Sequence, residues 1–190
     1  MRLWMREHHI VAQYVCVMVV MVLAAVLSDR SVSFPALFGG DSVFHLSMLA
    51  VLPLSVFIVY SCASATDIER SAFRPLPLVT AVHVLALHVV MALACCLVAA
   101  MWTSEGWLCF RSLLGFVSLG MLCSLFCSPR TSVTWDAVIF CFLSLAGRGS
   151  ASGMSTNWWN FLVADLGTIR AMLVPIALFF TYLAVAATRR

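Results

Sequence analysis

The stretch Leu78–Met101, LVTAVHVLALHVVMALACCLVAAM, contains no charged residue. A helix needs about 20 apolar residues to cross about 30 Å of hydrocarbon, and this run supplies them. Outward from it, Ile10–Leu27, Val43–Ala63 and Trp107–Cys127 are runs of the same kind. Val133–Ala146 is apolar apart from Asp136 near its start, but as a straight helix rising about 1.5 Å per residue it falls short of the full thickness. Ile169–Thr188 is long enough, with Arg170 at its edge. The expected fold class is all-α: a polytopic transmembrane helix bundle of about six spans, near 10–28, 43–63, 78–101, 107–127, 132–147 and 169–188, forming one domain over 1–190. The fifth span is short and expected to be tilted or re-entrant.

Composition agrees with that reading. The chain is 63% hydrophobic and 10% charged, whereas a soluble domain carries about a quarter charged residues to keep its surface wet. The net charge of +3 does not point to nucleic acid, because every basic residue other than histidine is an arginine at or near a run border. Arg2 and Arg6 precede the first run, Arg70 and Arg74 follow the second, Arg130 follows the fourth, and Arg189 and Arg190 follow the last. The positive-inside rule assigns all of these to the cytoplasm. The opposite loops hold Arg30, Arg148 and Arg170, offset by Asp29, Asp41, Glu105 and Asp165. A multi-pass protein of the cell membrane with both termini cytoplasmic satisfies every major cluster.

Catalytic chemistry lacks its usual parts. With no lysine, the chain cannot form a Gly-x-x-x-x-Gly-Lys-[Ser/Thr] phosphate loop. There is no His-Glu-x-x-His, no Gly-x-Ser-x-Gly and no pair of carboxylates within the runs, so no catalytic residue, cofactor or metal site is expected. Cys16, Cys62, Cys95, Cys96, Cys123, Cys127 and Cys141 fall within or at the ends of apolar runs and read as small buried hydrophobes. The first run, preceded by arginines, has two readings. It is a span or a signal sequence, and its length and the lack of a clean small-x-small site favour the span.

Several local features invite a role. The opening Met1–His9 mixes Leu3, Trp4 and Met5 with charges, which suits the headgroup layer or a plain basic flank. Ser28–Ser42, with Pro35 and Gly39-Gly40, reads as an outer loop. Between the second and third runs, Thr66 and Glu69 have the capping-box spacing, and Asp67 and Arg74 suit the two ends of a helix dipole. Pro75 disfavours helical geometry at Arg74. A short cytoplasmic connector helix follows, with Ile68 and Phe73 as its apolar residues; it either meets a partner or caps the bundle.

In the fourth run Gly120, Cys123, Ser124 and Cys127 share one helix face, a small-x-x-x-small pattern that permits close helix approach and favours packing over a two-thiol metal site. His83 and His88 are five residues apart and point to different faces, each expected to bond locally to a hydroxyl or a backbone carbonyl. Arg111 is expected to snorkel to the interface. Pro53 and Pro175 are expected to kink the second and last spans. Trp158 and Trp159, in Asn157–Phe161, belong at a membrane boundary, and a half-inserted outer helix from about Trp158 to Leu166 suits the sequence.

The layout resembles the type-2 ABC exporter permeases, in which a six-span chain pairs with a separate ATPase. The features that carry the resemblance are the basic start, the capped Thr66–Arg74 connector, the short fifth run, the half-inserted Trp158–Leu166 segment and the Arg189-Arg190 end. It implies that Thr66, Asp67, Ile68, Glu69, Arg70, Phe73 and Arg74 couple to the ATPase, that Trp158 and Trp159 lie near an outer gate, and that a second permease chain, identical or not, completes the path. The Gly120–Ser128 face is then a candidate contact for that pairing. Two other classes stand beside it: a small-solute binding subunit of an importer, which has a similar size and span count, and a non-transporting membrane assembly or immunity protein.

Overall fold

The computed structural model describes residues 9–27, 30–35, 41–64, 76–101, 105–146, 161–162 and 169–188. Along the chain it forms α1 (Ile10–Val26), β1 (Ser31–Pro35), β2 (Asp41–His45), a 3-10 turn (Leu46–Ala50), α2 (Val51–Ala63), α3 (Leu76–Met101), α4 (Glu105–Ser124), α5 (Pro129–Ala146), a second 3-10 turn (Ile169–Met172) and α6 (Leu173–Thr188). The fold is helical, as the apolar runs imply. The described residues add the antiparallel hairpin β1–β2, which pairs Ser31 with His45 and Pro35 with Asp41 where a plain loop to Ser42 and a span from Val43 were expected. The alternation of Ser31, Val32, Ser33 and Phe34 is a strand pattern, and Pro35 sits at the strand end, where a missing donor does least harm.

Prolines set where the helices begin. The second span was expected to be helical from Val43, with a kink at Pro53; instead β2 and a 3-10 turn occupy 41–50 and the α-helix starts at Val51. Proline has no N–H, and its ring clashes with the carbonyl four residues back, so it is tolerated in a first turn and disruptive later. Pro53 is the third residue of α2, and Pro175 is the third residue of α6, again behind a 3-10 turn. Both prolines therefore start helices rather than kinking them. Pro77 and Pro129 likewise stand in the first turns of α3 and α5. Ser128 caps α5: its hydroxyl accepts from the Thr131 N–H at 3.3 Å, and its carbonyl accepts from the Ser132 N–H at 3.0 Å.

Helix α4 is the axis of the bundle and packs against all five other helices. Within the protein 72% of the Gly106–Ser124 span is buried, against 44% of Leu78–Val98 and 28% of Arg170–Thr188. These three helices are long and apolar enough to cross a membrane, while Ile10–Val26 and Met48–Ala63 are apolar but shorter.

The surface is apolar in stripes. On α1 the exposed residues include Val11, Val15, Met18, Val22 and Val26; on α3 they include Leu78, Val82, Leu85, Val89, Leu93 and Leu97. Trp135, Val138, Phe142 and Leu145 continue the pattern on α5. Each set recurs at three- and four-residue steps, so it forms one face of its helix. A set of polar residues lies inside: Gln13, Ser55, Ser112, Ser118, Ser132 and Asp136 are fully buried, and Arg111, His83 and His88 nearly so. This polarity, inverted relative to a soluble bundle, is compatible with a membrane protein. All eight cysteines are free. Cys62 and Cys95 are buried as expected, as is Cys109, but Cys96, Cys127 and Cys141 face outward.

Candidate functional site

The polar groups of the interior fall into separate sets tied to particular helix ends. At one end the start of α1, the end of α2 and the start of α3 meet. The His83 Nε2–H donates to Gln13 Oε1 at 2.9 Å, and the Gln13 amide donates to Cys62 Sγ at 3.7 Å. The Tyr14 ring stands edge-on to His83 at 5.9 Å. Tyr182 of α6 lies within electrostatic reach of the Cys62 thiol, which brings the end of α6 to the same place. Beyond the local bond expected of it, His83 has a partner on another helix, because the amide of Gln13 is buried and needs one.

The end of α4 and the start of α5 meet around Gly120. The Ser132 hydroxyl donates to the Gly120 carbonyl at 2.7 Å. A Cβ on Gly120 would lie 2.6 Å from Asp136 Oδ2 and 2.6 Å from Val59 Cγ2, so the missing side chain is what lets α2 and α5 press against α4 here. Asp136 is fully buried at this junction, and among the described residues neither of its oxygens has a hydrogen-bond partner. In the sequence Asp136 stands only as an interruption of the fifth run. The signal was its isolation, since a lone ionisable group in an apolar segment is a functional candidate by default.

Of the proposed packing face, Gly120 is thus spent on contacts within the chain. Cys123 and Ser124 are half-buried, and the Ser124 hydroxyl returns to the Met121 carbonyl at 2.7 Å. Cys127 does not extend the face. Helix α4 ends at Ser124, and Cys127 is exposed in the turn that follows; Pro129 disfavours helical geometry at Ser128 and opens the next helix.

Arg111 does not snorkel. It is 2% exposed, and its Nε donates to the Phe161 carbonyl at 2.7 Å. The Phe161 ring fills the space over Gly115 and packs on Phe116, with ring centroids 5.3 Å apart. Phe161 and Leu162 form a turn, the rest of the expected Trp158–Leu166 helix lies outside the described residues, and the Phe161 carbonyl serves Arg111. At the same end Cys95 Sγ donates to the Gly106 carbonyl at 3.2 Å, joining the end of α3 to the start of α4. At mid-helix His88 donates from Nδ1 to the Val84 carbonyl at 2.7 Å, the local bond expected of it. Its Nε2 is buried with no partner among the described residues, and its ring lies 5.2 Å from that of Phe179.

The connector residues Thr66, Asp67, Ile68, Glu69, Arg70, Phe73 and Arg74 lie outside the described residues, as do Trp158 and Trp159. Among the described residues no three His, Cys, Asp or Glu side chains gather to hold a metal ion. No protein-family model, curated protein or solved structure matches the chain.

Proposed function

We propose that this chain is a membrane-embedded, permease-like subunit of a transporter driven by a separate ATPase, with export as its direction. The observation that carries the membrane part is the inverted polarity: apolar stripes on α1, α3 and α5 face outward, while Gln13, His83, Arg111 and Asp136 are enclosed. In hydrocarbon, polar side chains gain by facing one another inside a bundle, and apolar ones lose nothing by facing lipid. The helix-end contacts support an up-and-down path. The start of α1, the end of α2, the start of α3 and the end of α6 group around Gln13 and Cys62, and Val59 links the end of α4 to this same end of α2. Arg2 and Arg6, Arg70 and Arg74, Arg130, and Arg189 and Arg190 flank these ends, against Arg30, Arg148 and Arg170 at the others, and by the positive-inside rule this excess supports a cytoplasmic side in a cell-membrane protein.

The ATP-driven part rests on the connector. Thr66–Arg74 leaves the cytoplasmic end of α2 and would present Glu69, Arg70 and Arg74 to an ATPase. Closure of the ATPase would push on it, and the attached helices would pass the motion outward toward Trp158 and Trp159. Such coupling needs two arrangements of the bundle that the ATPase biases. A second permease chain encloses the path, with the lipid bilayer around both and no nucleic acid involved.

The test is purification from native membranes without crosslinking. Expected is an ATPase chain that copurifies, is stimulated by this subunit in lipid, and is lost when Glu69→Arg and Arg74→Glu reverse the connector charges. A protein that purifies without any ATPase and stimulates none would sink the transport reading and leave a membrane bundle of another role.

A further inference from the structure

We propose that Asp136 is a proton-binding site: its carboxyl group carries a proton within the closed bundle and gives it up only when α5 lifts away from Gly120. An isolated carboxylate in an apolar interior is strongly unfavourable unless an opposite charge, a set of donors or a bound cation accompanies it. The described surroundings of Asp136 supply none of these. From α4 it meets the backbone of Gly120, with the Cys123 thiol in electrostatic reach; from α2 it meets the apolar Val59. The titratable residues of α2 are Tyr60, which is exposed, and Cys62, which is engaged with Gln13. One turn earlier on α5 the Ser132 hydroxyl is committed to the Gly120 carbonyl, and Arg130 is exposed. Strand β2 also packs on α5 and carries Asp41 and His45, whose side chains lie outside the described residues.

The space is as restrictive as the chemistry. Since a methyl group on Gly120 would meet Asp136 Oδ2 at 2.6 Å, a metal ion with its own ligands has no room between the carboxyl and α4. The proton is the cation that fits. Ionisation then requires water, and water requires that the α2–α4–α5 junction open. Proton release and helix separation are therefore linked, each favouring the other. This inference stands on the packing at Gly120 and does not depend on an ATPase.

The experiment uses the purified chain in lipid vesicles and dicyclohexylcarbodiimide, a reagent that dissolves in hydrocarbon. The acid O–H adds across one C=N bond, so the carboxyl oxygen bonds to the central carbon and the proton passes to nitrogen. The acyl group then shifts from oxygen to nitrogen and leaves a stable N-acylurea, with nothing oxidised or reduced. Peptide mapping is expected to find this adduct on Asp136 at neutral pH, to find less as pH rises, and to find none with a water-soluble carbodiimide. The infrared spectrum is expected to show the C=O band of a protonated carboxyl group that Asp136→Asn removes. Adducts on other carboxyls with none on Asp136, equal labelling by the water-soluble reagent, or a wild-type spectrum without that band would each overturn the proposal. Mapping on the wild type decides the matter even where the variant does not fold.

Discussion

Gly120 is a residue at which the bundle has little tolerance. An alanine there places its Cβ 2.6 Å from both Val59 Cγ2 and Asp136 Oδ2, one on α2 and the other on α5. Overpacking a close contact of this kind costs about 1–3 kcal/mol. Gly120→Ala is therefore expected to lower the midpoint of thermal unfolding in detergent, whereas Ser124→Ala, one turn along and half-buried, is expected to change it little. An unchanged midpoint for Gly120→Ala would mean that the three helices do not meet there. The small-residue face was legible because its spacing is a property of one helix. What it touches was not, since no local pattern relates Gly120 to Asp136. Arg111 and His83 show the same limit. Their partners, Phe161 and Gln13, are 50 and 70 residues away in the chain, and expectations of snorkelling or local bonding apply to helices considered singly.

At the scale of the element, four prolines stand in the first turns of α2, α3, α5 and α6. The existence of the helices was readable from apolar run length, but their starts at Pro53 and Pro175 were not. A proline in a long run has two outcomes, a kinked continuous helix or a new helix that begins just before it, and hydropathy does not distinguish them. The 3-10 turns at 46–50 and 169–172 mark the second outcome. It follows that Pro53→Ala and Pro175→Ala remove no strain and break no contact in the helical ladder, so each is expected to shift stability by under about 1 kcal/mol. Val59→Pro, in the interior of α2, is expected to cost about 3 kcal/mol or more, because it deletes a helical hydrogen bond and clashes with the preceding turn. Unfolding monitored by far-ultraviolet circular dichroism separates the two. A large effect of Pro53→Ala would restore the kinked-span reading.

For the whole molecule, the question is which solvent its surface faces. In water, the stripes Val82, Val89, Leu93 and Leu97 on α3 would form a contiguous apolar patch of the kind that drives aggregation. In hydrocarbon they are the ordinary exterior, and the enclosed Gln13, Arg111 and Asp136 are the groups that gain from burial. The two environments predict opposite labelling on one helix, because Val84, Leu87 and Met91 lie between those residues in sequence and are buried against α1, α4 and α6. A carbene generated by light from a hydrocarbon-soluble diazirine inserts into whatever side chain the lipid touches. Applied to the native chain in vesicles, it is expected to mark Val82, Val89, Leu93 and Leu97 and to spare Val84, Leu87 and Met91, as read by mass spectrometry of peptides from α3. A water-soluble diazirine is expected to leave all seven unmarked. If the aqueous reagent marks Val82 and Val89 instead, the stripes face water, and the membrane reading falls together with the topology built on its arginines.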